Sequence, residues 1–78
     1  MITLYQLENN SIGTIEKITT NHNLKGRLAE LGFMKGMDVR MIKKSPFNGP
    51  IQIKINNYYL SLRKEDAILI HLTSKNQK

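Results

Sequence analysis

The sequence predicts a mainly β fold: a small, partly open barrel of about five strands with one short helix. Three observations support this prediction. The chain has 78 residues, of which 40% are hydrophobic, enough for one compact core and little more. Several short segments alternate hydrophobic and polar residues and are separated by turn residues. Only one segment, in the first half of the chain, has the spacing of a helix.

The residues before position 20 predict a turn followed by a strand. Leu4 and Leu7 are three residues apart, as in one helical turn, and we expect them to cover one end of the barrel. Glu8, Asn9 and Asn10 have the composition of a turn. Residues 11–19 then predict a strand whose alternation contains one irregularity.

A short amphipathic helix is predicted next. Its apolar face consists of leucines at positions i, i+4 and i+7, namely Leu24, Leu28 and Leu31. Thr20 or Asn21 can cap its first turn. Gly32 is expected to end the helix in the left-handed conformation, and Phe33 follows in position for the hydrophobic contact that often accompanies such an ending.

Four further strand segments complete the predicted barrel, at residues 37–44, 51–55, 58–62 and 67–72. The connections between them are a Pro- and Asn-Gly-containing turn at 45–50, a two-residue hairpin at Asn56-Asn57 and a tight connection at 64–66. We expect residues 1–73 to form a single domain and residues 74–78 to form a flexible polar tail.

Composition argues against an enzyme. There are no cysteines, which excludes thiolate metal sites, iron–sulfur clusters and a cysteine nucleophile. A core this small does not readily bury a catalytic pocket as well. The N-terminus lacks the features of a signal peptide, and the longest apolar run, residues 67–70, is too short to cross a bilayer. We therefore expect a soluble cytoplasmic protein with no catalytic residues.

The candidate ligand and phosphate motifs are weak. His22 and His71 are the only histidines, and neither has a second ligand at metal-binding spacing. Residues 32–36 lack the Gly-Lys-Ser/Thr ending of a phosphate loop. We expect no metal site and no cofactor.

The net charge of +6 leaves two interpretations open. It indicates either an anionic partner, such as nucleic acid or a lipid surface, or a lysine-rich soluble surface. Nine of the twelve cations are lysines, whereas nucleic-acid sites favour arginine with interleaved aromatics. The second interpretation is favoured, and a nucleic-acid-binding barrel that uses Tyr58 and Tyr59 is kept as the alternative.

A longer pattern resembles the FeoA family. The motif Arg27-Leu28-x-Glu30-Leu31-Gly32-Phe33-x-x-Gly36 lies at its centre, and the match covers about residues 4–72. The flanking elements that continue it in register are Leu4-x-x-Leu7, Gly13-x-Ile15-x-x-Ile18, Pro46-x-x-x-Pro50-Ile51 and Leu62-Arg63-x-x-x-Ala67-x-x-Ile70-x-Leu72. The sequence departs from the family at three places, with Asn10 for glycine, Lys35 for proline and Asn48-Gly49 for Gly-Asp.

The resemblance implies an SH3-like barrel in a bacterial or archaeal cytoplasmic protein that works with FeoB, a ferrous iron permease with a GTP-binding domain. Iron-dependent repressors of the diphtheria toxin repressor type carry the same fold as a C-terminal domain. This chain is much shorter, so we expect a stand-alone FeoA protein. The function hypothesis is docking on FeoB, at its cytoplasmic GTP-binding region, in support of ferrous iron uptake.

The predicted partner-binding residues are Phe33, Met34, Lys35 and Phe47, because aromatic and methionine side chains on loops often anchor interfaces. For Phe33 the alternative is that it packs on Leu28 inside the fold. We expect no nucleic-acid partner and no direct membrane insertion, and weak self-association is left open. An arginine finger from Arg27 or Arg63, acting on the partner's GTP, is the least favoured hypothesis.

Overall fold

The computed structural model describes residues 1–19 and 22–74, without the side chain of His22. Within these ranges six strands form one antiparallel sheet in the order β1-β6-β2-β3-β4-β5. The strands are β1 (Ile2–Thr3), β2 (Ile12–Ile18), β3 (Asp38–Lys44), β4 (Ile51–Ile55), β5 (Tyr58–Leu62) and β6 (Ile70–Ser74). The helical elements are α1 (His22–Glu30), α2 (Lys64–Ala67) and a 3-10 turn at Leu4–Gln6. The predicted mainly β fold is confirmed.

Two elements go beyond the sequence prediction. β1 has only two residues, too few to show a periodic pattern in the sequence. It is recognised as a strand because it pairs with β6. The predicted tight connection at 64–66 is the one-turn helix α2, in which the Ala67 N–H donates to the Arg63 carbonyl at 3.0 Å. Glu65 and Asp66 lie in its first turn, where negative charge suits the helix dipole.

The core lies between the curved sheet and the segments that cover it. Leu4 and Leu7 are both buried there, which confirms that the 3-10 turn covers one end of the barrel. The predicted alternation of β4 is confirmed, because every second residue of this strand is buried. The buried core residues are Leu4, Leu7, Ile15, Leu28, Phe33, Val39, Met41, Ile51, Ile53, Ile55, Leu62, Ala67, Ile70 and Leu72.

The predicted irregularity in β2 is a β-bulge. Ile15 pairs with Leu72 and Lys17 pairs with the adjacent His71, so Glu16 is the extra residue. A bulge of this kind bends the strand and changes the direction of the side chains that follow. It lies where β2 approaches α1.

The end of α1 follows the prediction at Gly32 but not at Leu31. Gly32 has φ +104°, its N–H donates to Ala29, and the Phe33 N–H donates to the Leu28 carbonyl at 2.9 Å. These two bonds define a Schellman ending. The helix therefore ends at Glu30, and Leu31 is 37% exposed instead of continuing the apolar face. The predicted caps, Thr20 and Asn21, lie outside the described residues.

Three turns use left-handed residues. Asn56 and Asn57 have φ 53° and 69° and close the β4–β5 hairpin, as a type I′ turn requires. Asn10 has φ 67°, so it takes the conformation expected of it. In the β3–β4 loop the left-handed residues are Phe47 and Asn48, each with φ 60°. Asn48 was expected to tolerate this geometry, whereas Phe47 was not.

The C-terminal strand is longer than predicted. Ser74, assigned by sequence to the polar tail, is the last residue of β6 and pairs with Gly13. Residues 75–78 of the predicted tail lie outside the described residues. With this extension β6 pairs with β2 from Gly13 to Ile18.

The sheet has two ends, and the distance between them matters for the site. β3 begins directly after loop 33–37, and we call this end of the sheet the helix end. At its other end β3 leads into loop 45–50, the turn of the β3–β4 hairpin, and we call this the hairpin end. The Asn56-Asn57 turn of the β4–β5 hairpin lies at the helix end, because β4 runs antiparallel to β3. Its seven residues span roughly 20 Å at the rise of a β-strand. Loop 33–37 and loop 45–50 therefore lie at opposite ends of the domain.

Candidate partner-binding groove

An open groove of about 450 Å³ lies between the end of β2, the helix α1 and loop 33–37. Its apolar surface comes from Ile18 of β2, Ala29 of α1 and two residues of the loop, Phe33 and Met34. Three lysines and one glutamate complete the lining. The lining residues are Glu16, Lys17, Ile18, Lys25, Ala29, Phe33, Met34 and Lys35.

Hydrogen bonds to the backbone of β2 hold loop 33–37 in place. The Gly36 N–H donates to the Ile15 carbonyl at 2.8 Å, and the Ile15 N–H donates to the Met37 carbonyl at 2.9 Å. Gly36 has φ +93°, a conformation that glycine adopts at little cost. The Met37 N–H also donates to the Met34 carbonyl at 3.0 Å. The loop is thus fixed against the strand, and Met34 is presented at the edge of the groove.

The bulge in β2 supplies the opposite wall. Glu16 is the unpaired residue, and its Oε2 accepts a hydrogen bond from Thr73 Oγ1 at 2.8 Å. Lys17, next in the chain, is exposed. Because the bulge redirects the strand at this point, Glu16 and Lys17 both reach the groove wall.

The groove combines an apolar base with a cationic rim. Phe33 is buried and Ile18 half-buried, while Met34 is 52% exposed. The charged lining residues are three lysines, Lys17, Lys25 and Lys35, and one acid, Glu16. Such a surface suits an apolar side chain of a partner that is flanked by acidic groups.

The four predicted partner-binding residues do not form one surface. Met34 and Lys35 are exposed at the groove. Phe33 is only 1% exposed, so it is a core residue that forms the base of the groove and not a free anchor; the alternative, packing inside the fold with Leu28, is what the structure has. Phe47 is 97% exposed but lies at the hairpin end, remote from the other three.

His71 does not gather other metal ligands among the described residues. His71 is half-buried, and its Nε2 lies 3.0 Å from Thr19 Oγ1. Among the residues that the structure describes, no three His, Asp or Glu side chains come close enough together to hold a metal ion. The side chain of His22 lies outside that description.

The two tyrosines of the nucleic-acid alternative are both engaged within the domain. The Tyr58 hydroxyl donates a hydrogen bond to the Leu31 carbonyl. Lys54 Nζ lies 5.6 Å from the centre of the Tyr59 ring, within the range of a cation–π contact. Tyr58 is 37% exposed and Tyr59 is 59% exposed, so both rings keep accessible surface beside these contacts.

Sequence reasoning missed most of the groove. The missed lining residues are Glu16, Lys17, Ile18, Lys25 and Ala29. Lys25 and Ala29 are four residues apart, and this spacing places them on one helix face. Nothing in the sequence indicated that this face lies beside the bulge of β2, because that arrangement depends on tertiary packing.

Comparison with known proteins identifies the family. The family model described as FeoA domain matches residues 2–73. The chain belongs to the FeoA domain family. An Fe(2+) transport protein A/Fe(2+) transporter FeoB fusion protein of Porphyromonas gingivalis is 29% identical over 75 residues. That match covers 94% of this chain but only 9% of the fusion protein.

Solved FeoA structures have the same fold. Iron(II) transport protein A of Clostridium thermocellum is 27% identical with a TM-score of 0.89, and the match covers 95% of this chain and 46% of that one. FeoA of Stenotrophomonas maltophilia, complexed with zinc and described as a prokaryotic SH3 domain protein, is 28% identical with a TM-score of 0.80. There the match covers 94% of this chain and 91% of that one. The expected SH3-like fold is confirmed.

Membership of the family associates the chain with ferrous iron transport. FeoA domains are small SH3-like accessory domains associated with ferrous iron transport and do not form an enzyme family, as the composition predicted. Neither described helix has the length and hydrophobicity needed to cross a lipid bilayer.

Proposed function

We propose that this FeoA domain supports ferrous iron uptake by docking on the cytoplasmic GTP-binding region of a FeoB-type transporter. The observation that carries the proposal is the relative in which a FeoA domain and FeoB are one polypeptide. Fusion raises the effective concentration of one module for another, which is useful where the two must touch. The proposal implies a cytoplasmic location for this domain, because the GTP-binding region it docks on is cytoplasmic.

The groove at the helix end is the surface we propose for this contact. Met34 offers a flexible apolar side chain that is 52% exposed, and thioethers adapt well to partner surfaces. Lys35 and the other rim lysines would steer an acidic partner segment towards it. Phe33 contributes from below by giving the groove a rigid apolar base.

Replacing Met34 tests the surface. We expect Met34→Ser to weaken docking by more than about 1 kcal/mol, because the variant removes the apolar side chain at the groove edge. Titration calorimetry against the purified GTP-binding region of the transporter measures the change. Stability should stay the same, because Met34 is exposed.

Phe47→Ser is the matched control, since it removes an exposed apolar side chain at the other end of the domain. It should leave docking on the purified GTP-binding region unchanged. Loss of docking in Phe47→Ser but not in Met34→Ser would transfer the interface to the hairpin end. Absence of binding by the unsubstituted domain would overturn the proposed function itself.

A further inference from the structure

Most of the net positive charge of the chain lies in one segment. Residues 39–64 contain six of the twelve cations and none of the six acids, so the other six cations and six acids balance. This segment contains β4, β5 and all of β3 except its first residue, Asp38, so the whole β3–β4–β5 meander with its flanks, residues 38–64, carries six cations and one acid. Lysines that serve only solubility would be spread among the acidic residues along the chain. The concentration of cations in the meander therefore fits an anionic partner for this part of the domain.

Strand pairing places part of this charge on the outer face of the sheet. Arg40 pairs with Lys54, and Lys43 pairs with Gln52. Directly paired residues point to the same side of a sheet, and the alternate residues of β4 fill the core. Arg40, Lys43 and Lys54 therefore share the side of the sheet that faces away from the core.

The lysines nearest the hairpin end belong to the same charged segment. Lys44, at the end of β3, and Lys64, at the start of α2, have their Nζ atoms 5.6 Å and 5.5 Å from the Tyr5 ring centre. Glu65 and Asp66 follow in α2 and offset charge on that side. Lys43 and Lys44 both flank loop 45–50, on opposite sides of the sheet, because Lys44 pairs with the core residue Ile51.

Phe47 protrudes from this loop in a strained conformation. The Gly49 N–H donates to the Pro46 carbonyl at 3.2 Å, and the two residues between them, Phe47 and Asn48, both have φ 60°. A bulky residue is unfavourable at such a φ. Because Phe47 is 97% exposed, no packing within the described domain offsets this strain, and strain of this kind is typical of functional positions.

We propose that the hairpin end contacts an anionic membrane surface, with Phe47 entering the headgroup region and Lys43 and Lys44 lying against lipid phosphates. An apolar side chain at a protruding tip, with lysines behind it, combines the two attractions that hold proteins at an anionic interface. This goes beyond the docking proposed above and does not depend on it. It also revises the expectation of no direct membrane insertion and adopts the anionic-partner interpretation of the net charge, which the sequence alone did not favour.

A membrane surface fits these features better than nucleic acid does. A nucleic-acid platform places its aromatic rings among the cations of the sheet. Here the ring on the sheet face, Tyr59, already contacts Lys54. The most exposed aromatic ring is Phe47, 97% exposed against 59% for Tyr59, and it lies at the loop tip, in position to enter a membrane surface end-on.

Vesicle sedimentation with the full chain tests the proposal. We expect binding to vesicles of phosphatidylglycerol and phosphatidylcholine in equal parts, little binding to phosphatidylcholine alone, and loss of binding at high salt, where charge attraction is screened. Phe47→Asn should bind about tenfold more weakly, since burial of the aromatic ring is lost. Its fold should be intact, because asparagine suits the left-handed conformation.

A pair of charge variants separates local contact from net charge. Lys43→Gln with Lys44→Gln should weaken vesicle binding by about fivefold for each lysine. Lys25→Gln with Arg27→Gln removes the same charge from α1 and should have a much smaller effect. Equal losses in the two double variants, or unchanged binding by Phe47→Asn, would overturn the proposal.

A fluorescent variant reports on the depth of the tip. The chain has no tryptophan, so Phe47→Trp introduces a single probe whose emission should shift to the blue on anionic vesicles and be quenched by brominated lipid. Unshifted emission with bound vesicles would contradict insertion of the tip. Preference for a single-stranded oligonucleotide over anionic vesicles at the same salt concentration would assign the meander to nucleic acid instead.

Discussion

Replacing Phe33 by alanine is expected to lower the free energy of unfolding by about 3–5 kcal/mol. Phe33 is 1% exposed and belongs to the central core cluster. Removing its ring loses buried apolar area and leaves a cavity beneath the groove, and both effects are destabilising. A small domain has a total stability of roughly 5–15 kcal/mol, so this one substitution removes a large part of it.

Urea denaturation followed by circular dichroism measures the loss. If Phe33→Ala does not fold, Phe33→Leu keeps most of the volume and should cost less than the alanine variant. Met34→Ala, at the next position, is the control and should stay within about 0.5 kcal/mol of the original protein. A small cost for Phe33→Ala, combined with weakened docking, would instead mean that Phe33 is a surface anchor, as the sequence first suggested.

Gly32→Ala is expected to cost about 1–3 kcal/mol of stability. Gly32 has φ +104°, which an L-residue with a β-carbon rarely adopts. A β-carbon at this position would also collide with the side-chain amide of Asn56 in the β4–β5 turn. The substitution should therefore disturb the Schellman ending and the approach of the hairpin turn together.

Two further variants separate these causes. In the background of Asn56→Gly the collision is removed while the left-handed turn is kept, so the cost of Gly32→Ala that remains there is due to backbone conformation. Gly26→Ala is the control of opposite sign, because Gly26 lies inside α1 with no atom within 4 Å of an added β-carbon. It should raise stability by about 0.5–1 kcal/mol. Equal effects at positions 26 and 32 would show that α1 does not end at Gly32.

The two proposed surfaces are compatible with each other. The groove lies at the helix end and the Phe47 tip at the hairpin end, with the length of β3 between them. A partner in the groove therefore leaves the tip free to reach a membrane. Because the transporter is itself a membrane protein, simultaneous use of both ends would fix the orientation of the domain on it.

Local sequence patterns determined the elements that depend on near neighbours. The alternation of Ile51, Ile53 and Ile55 with polar residues predicts β4, because side chains in a strand alternate between two faces. Asn56-Asn57 predicts the tight turn, since asparagine tolerates positive φ. Gly32 predicts the end of α1 for the same conformational reason. The longer motif pattern was enough to identify the family.

Tertiary structure decided what depends on residues far apart in the chain. β6 inserts between β1 and β2, and no local pattern specifies that order. Phe33 and Met34 are neighbours in sequence, yet one is buried and the other exposed, because loop 33–37 is bound to the backbone of β2. The predicted partner-binding residues divide between two ends of the domain because β3 separates them. Periodicity reports which residues share a face of one element, whereas a surface is built from several elements whose positions are set by long-range pairing and core packing.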